Sequence, residues 1–177
     1  MAKLLRKVDK RHRWFKAAAQ AHLDAGDVPA DPLGDLRTTG NKLSVYQVDE
    51  DESNIERIAR ALACGREHLA EVGYVLFDLS VLAKASIELD RNDGKTLDSA
   101  VNQCHADLVD LTGNKLVALA RLNLLEGESD TILKKRIVQL VLEGLNSNEL
   151  PEKVREKLPK NLATDAEADR PVPPSSG

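Results

Sequence analysis

The chain has 177 residues, with 25 Lys and Arg against 29 Asp and Glu, a net charge of −4, and 42% hydrophobic residues. That is one domain's worth of chain, able to bury a core without disulfides or a metal, and its ordinary apolar content excludes bulk disorder. No apolar run reaches the roughly 20 residues of a membrane-spanning helix, no secretory leader is legible before Trp14, and two cysteines fit a reducing compartment, so a cytoplasmic location is expected.

Charge is unevenly placed. Residues 1–16 hold Lys3, Arg6, Lys7, Lys10, Arg11, Arg13 and Lys16 against Asp9 alone, a surplus of six positive charges. The other 161 residues hold 18 basic and 28 acidic groups, a surplus of ten negative charges that peaks at Asp49-Glu50-Asp51-Glu52. Residues 3–25 are rich in Leu, Lys, Arg and Ala, which predicts a helix stopped by Gly26. Leu4, Val8, Phe15, Ala19 and Leu23 fall on one side of it, and Lys3, Arg6, Lys10 and Arg13 mainly on another. Pro29, Pro32, Gly34 and Gly40 make 26–42 a loop.

Leu43 to Val48 alternates apolar and polar residues and predicts a half-buried strand. Ser53-Asn54-Ile55-Glu56 fits a capping box opening a helix that Gly73 ends. Tyr74-Val75-Leu76-Phe77 is of strand type, so 43–78 reads as a βαβ-like unit. Leu79 to Leu89 is either helix, or helix and then a short strand, and Asp90 to Gly94 is a turn. Helices follow over 97–111, with Thr96 as N-cap, over 116–125 and over 130–145, and a short one starts near Pro151. The pentapeptide Thr-Gly-Asn-Lys-Leu occurs at 39–43 and at 112–116, once entering a strand and once a helix, which reads as two similar turns.

The expected fold is therefore α+β and predominantly helical, with a small two- or three-stranded sheet around 43–78 packed on a helical bundle. The expected organisation is a basic N-terminal helix over 1–26, a mostly helical globular domain over 27–159, and a disordered tail over 160–177 that carries a minimal P-x-x-P at Pro171 to Pro174.

Chemistry-bearing residues are few. If the strands at 43–48 and 74–77 are parallel neighbours, Asp49 and Asp78 end them on one edge, where Asp49, Asp51 and Asp78 are candidate Mg²⁺ ligands. Val48-Asp49-Glu50-Asp51-Glu52-Ser53-Asn54, with Phe77-Asp78 after it, resembles the acidic pocket of response-regulator receiver domains over a short part of the chain. That resemblance implies a Mg²⁺-dependent phosphotransfer site. Gly94-Lys95-Thr96 hints at a phosphate loop, but Leu89 stands where its first glycine belongs. Cys64, His68, Cys104 and His105 are zinc-ligand types. Consecutive helical residues diverge by about 100°, however, so Cys104 and His105 do not share an ion and the cysteines read as core.

The best-supported interaction feature is the basic leading segment. Lys3, Arg6, Lys7, Lys10, Arg13 and Lys16 suit phosphates or an acidic protein face, and Trp14 suits a base or a protein groove. With no complete catalytic constellation, the expected function is that of a non-catalytic accessory or regulatory protein acting through protein–protein interaction: an antitoxin, an immunity protein or a small subunit of an assembly. Its surfaces would be the leading helix and the acidic 49–56 segment. Nucleic-acid binding by the leading helix is the alternative, and Mg²⁺-dependent phosphotransfer or nuclease activity the second. No cofactor is expected, nor a membrane-surface partner, and opposed charges leave room for a homo-oligomer.

Overall fold

The computed structural model describes residues 2–9 and 11–159. Lys10 and the sequence from 160 onward, including the expected tail and its P-x-x-P, lie outside the described residues. The elements in order are β1 (Lys3–Val8), a 3₁₀ turn (Arg11–Trp14), α1 (Lys16–Asp24), α2 (Ala30–Asp35), β2 (Leu43–Val48), α3 (Ile55–Cys64), β3 (Val72–Asp78), α4 (Ser80–Lys84), β4 (Glu88–Arg91), α5 (Ser99–Gln103), β5 (His105–Val109), α6 (Gly113–Glu126), β6 (Glu128–Ile132), α7 (Lys134–Asn146) and a 3₁₀ helix (Glu152–Lys157). No described helix is long and apolar enough to cross a membrane.

The expected small sheet on a helical bundle is wrong. One six-stranded sheet of order β4-β5-β2-β1-β3-β6, antiparallel at every pairing, organises the molecule. The largest departure lies at the start of the chain. Residues 3–8 do not open a helix but form β1, a central strand paired with β2 on one side and β3 on the other. Leu4 and Val8 face one layer and Leu5 the other, so a strand is favoured because it buries apolar groups on both faces at once. The predicted helices over 97–111 and 130–145 are each divided, into α5 and β5 and into β6 and α7.

β2 and β3 run in the same direction, joined by α3, but β1 is inserted between them as a split βαβ. The two turns sharing a pentapeptide differ as expected. Gly40 and Asn41 take positive φ of 60° and 59° in a tight turn leading into β2, while Thr112 accepts from Lys115 N at 3.3 Å and caps α6.

Helices cover both faces. On one, α1, α2, α4 and α6 close over Leu4, Val8, Leu43, Val45, Phe77 and Leu108. On the other, α3 lays Ile55, Ile58 and Ala61 on Leu5, Tyr46, Val48 and Leu76, and its outer side packs on α7 and the last 3₁₀ helix through Ala59, Ala63, Ile137, Val141 and Val154. One polar residue sits badly in this core. Asn123 of α6 is 3% exposed, and neither side-chain polar atom has a hydrogen-bond partner among the described residues. Replacing an unpaired buried amide with an apolar group of similar size removes a desolvation cost of about 1–3 kcal/mol. Asn123→Leu is therefore expected to raise the urea midpoint at unchanged slope.

Candidate ligand-binding cleft

The sheet's register assembles a site that no stretch of sequence contains. Ser44 of β2 stands opposite Asp107 of β5, and Tyr46 opposite His105. Side chains two apart on a strand share a face, so all four line the side of the sheet that α3 covers. The last turn of α3, with Ala61, Leu62 and Gly65, forms one wall of a cleft of about 430 Å³, and Asn92 to Thr96, between β4 and α5, form the other. A smaller cavity of about 170 Å³, which Gln47 and Cys104 help to line, shares Asn92, Asp93 and His105 with it.

The floor is one hydrogen-bonded chain. Ser44 Oγ donates to Asp107 Oδ1 at 3.1 Å, and Asn92 Nδ2 donates to Asp107 Oδ2 at 3.1 Å. A carboxylate only accepts, so the Asn92 amide turns its nitrogen to Asp107 and its oxygen to His105 Nδ1, at 2.7 Å. Nδ1 then carries the proton, and Nε2 faces Asp107 Oδ1 at 3.7 Å. The Tyr46 ring meets the imidazole edge-on, with centroids 5.3 Å apart. Burial pushes the Tyr46 hydroxyl above the usual tyrosine range, against the lowering effect of Arg6.

The loop wall is held in advance. Thr96 N and Oγ1 both donate to Asn102 Oδ1, at 2.7 and 2.8 Å, and Asn102 Nδ2 returns to Thr96 O. Gly94 N donates to Asn102 O at 2.9 Å, and a Cβ on Gly94 would stand 3.0 Å from both His105 Cβ and Asn102 Oδ1, so glycine permits this close approach. Asp98, 1% exposed, ties this wall to α3. It accepts from Arg57 at 2.8 and 3.0 Å and from Arg60 at 2.6 Å, and caps α5 through Ala100 N and Val101 N.

Compared with known protein families, curated proteins and solved structures, the chain matches none.

The residues singled out from the sequence lie elsewhere, and most are engaged within the molecule. Lys3 bonds Glu52 at 2.7 Å and Glu128 at 3.3 Å. Arg6 donates to Ser44 O and Asp35 O, and burial lowers its pKa although Asp35 opposes this. Arg13 lies 3.7 Å from both Asp31 and Asp35, and the buried Trp14 indole donates to Asp35 Oδ2 at 3.0 Å. Lys7 is half-buried, with burial and then Arg66 holding its ammonium below the usual lysine range. Lys16 is exposed at the start of α1.

The proposed Mg²⁺ carboxylates are not assembled either. Asp49 and Asp78 do end β2 and β3 at one edge of the sheet, but β1 separates them, and Lys3 pairs with Val48 on one side and Asp78 on the other. Two strand spacings put them roughly 10 Å apart, beyond a shared ion. Asp51 accepts instead from Ser53 N. No described group of three acidic, His or Cys side chains is placed to hold a metal. Of the cysteine and histidine readings, only His105 reaches the cleft floor. The period-two pattern of His105, Asp107 and Val109 against Ala106 and Leu108 was the available signal for β5, and hence for Asp107.

Proposed function

We propose that the protein is a non-catalytic accessory or regulatory protein that binds another protein, and that its recognition element is the His105 cleft rather than the leading basic segment. One observation carries this reading: the cleft walls are fixed by hydrogen bonds and ion pairs internal to the chain, and the only hydroxyl on its floor with a charged partner, Ser44, donates to Asp107 and not to His105. A nucleophile needs its base within hydrogen-bond reach, with the base itself oriented by a third group. Here the carboxylate stands between hydroxyl and imidazole, an order that holds side chains still without activating one. Preorganisation of this kind lowers the entropy cost of binding. The exposed Asp49, Glu50 and Asp51 then serve as a steering surface for a basic partner.

Gly65 provides the test. It is exposed, has ordinary helical φ, and a Cβ there meets nothing closer than 3.6 Å, so a larger residue fits the backbone and projects into the cleft mouth. Tagged full-length protein and its Gly65→Phe variant are to be recovered from the native cell and their companions identified by mass spectrometry. A companion held by the wild type and lost from Gly65→Phe is the expected result. Recovery of the protein alone, or of a companion held equally by both, overturns the proposal.

A further inference from the structure

Resting on the reading of the cleft as a partner site, we infer that its occupant is a cation on an aliphatic stem: a lysine or arginine side chain of the partner protein. Asp107 is the reason. The molecule has three carboxylates whose side chains are less than a fifth exposed and for which ion pairs are described. Asp35 has Arg13, and Asp98 has Arg57 and Arg60. Asp107, 18% exposed, accepts only neutral hydrogen bonds, from Ser44 and Asn92, and meets no lysine or arginine among the described residues. A mostly buried carboxylate without a cation is costly unless something supplies one.

The neighbouring imidazole sharpens the requirement. With Nδ1 donating to Asn92, a neutral His105 presents the Nε2 lone pair to Asp107 Oδ1 across 3.7 Å. Two acceptors that face each other at that separation, at the base of an open cleft, call for a group with several N–H donors and positive charge. An ammonium or guanidinium is such a group. Tyr46, Ala61 and Leu62 supply apolar surface for its methylene stem. Asp93 and Asp107 outweigh Lys95 along the lining. Neither Lys7 of β1 nor Arg66 lines the cleft.

Calorimetry on the full chain at pH 8 tests this with acetyl-Gly-Arg-Gly-amide and the same peptide carrying citrulline, which keeps the shape and removes the charge. The arginine peptide is expected to bind at least about tenfold more tightly. Asp107→Asn, which keeps an acceptor for Ser44, should abolish that preference, and Gly65→Phe should weaken both peptides. Equal affinity for the two peptides, no binding of the arginine peptide, or a preference that survives Asp107→Asn overturns the inference. If the peptides are not distinguished while Gly65→Phe still loses its cellular companion, the partner-site reading stands and the cation falls. If they are distinguished while Gly65→Phe keeps its companion, the cation stands and the partner reading falls.

Discussion

Asp98→Ala is expected to cost about 3–5 kcal/mol of folding stability, because it leaves a charge buried without its main partner. Arg60 is 5% exposed, its Nε already lacks a partner among the described residues, and its Nη2 is shared between Asp98 at 2.6 Å and Glu149 at 2.7 Å. Glu149 is 37% exposed, so water screens what it can return. Arg57, 38% exposed, loses less. The α5 cap goes too, which is worth about 1 kcal/mol, and Asp98→Asn should recover that part because its amide oxygen still accepts.

The measurement is the urea midpoint at constant slope. A loss under about 1 kcal/mol for Asp98→Ala would show that the network is already solvated. Acid titration adds a second readout. Burial acts to raise the Asp98 pKa, but hydrogen bonds from Arg57 and Arg60 outweigh it and leave the carboxyl below the usual aspartate range. A depressed folded pKa gives stability that is complete above the ordinary aspartate value of about 3.9 and is lost as pH falls through the folded value. Asp98→Ala should flatten that part of the acid limb. Because Arg57 and Arg60 belong to α3 and Asp98 to the loop wall, the same variant loosens the cleft.

β2, β3 and α6 were legible from the sequence through their runs of apolar residues, and α3 and α7 in part: the helix expected to run to Gly73 stops at Cys64, with Gly73 inside β3, and the one expected over 130–145 begins only at Lys134, after β6. The capping box before α3 was not realised. Asn54 uses its side chain to clasp the β2–α3 turn, bonding Gln47 O and Asp49 N, while Glu56 goes to Arg136. β1 was hidden by composition. Leu, Lys and Arg favour helix in isolation, and only a sheet with layers on both sides makes Lys3–Val8 a strand, with Asp35, Glu52 and Glu128 receiving its charged ends. β5 was hidden by coincidence, since Cys104, Leu108 and Leu111 also fall at helical spacing. The cleft itself was out of reach. Ser44 and Asp107 are 63 positions apart and meet only through strand register. A turn was expected over Asp90 to Gly94, but Asp90 and Arg91 instead complete β4 against β5, and nothing in the loop residues after them says that Asn92 will hold a histidine.

The leading cations supply the second large effect. If they formed a docking surface, removing them would weaken binding and leave folding alone. The structure gives the opposite expectation. Asp35, 6% exposed, accepts from Trp14 Nε1 at 3.0 Å and Asp9 N at 3.3 Å, lies 3.7 Å from Arg13, and offers its carbonyl to Arg6. Asp35→Ala strands the Trp14 N–H and removes the negative charge that offsets Arg6 in its buried position, a loss of about 3 kcal/mol. Arg6→Ala should cost a similar amount by leaving the Ser44 and Asp35 carbonyls unpaired. The two losses should fail to add, with a coupling of about 1 kcal/mol or more, since both variants break one network. Lys16→Ala, on the exposed start of α1, serves as the control and should change stability by no more than about 0.5 kcal/mol. Unfolding midpoints and a salt titration against duplex DNA decide between the two pictures. Arg6→Ala and Arg13→Ala proteins that keep the wild-type midpoint yet lose salt-sensitive DNA binding would return the leading segment to the surface. Variants that unfold earlier place its charges where the hydrogen bonds do, inside the fold.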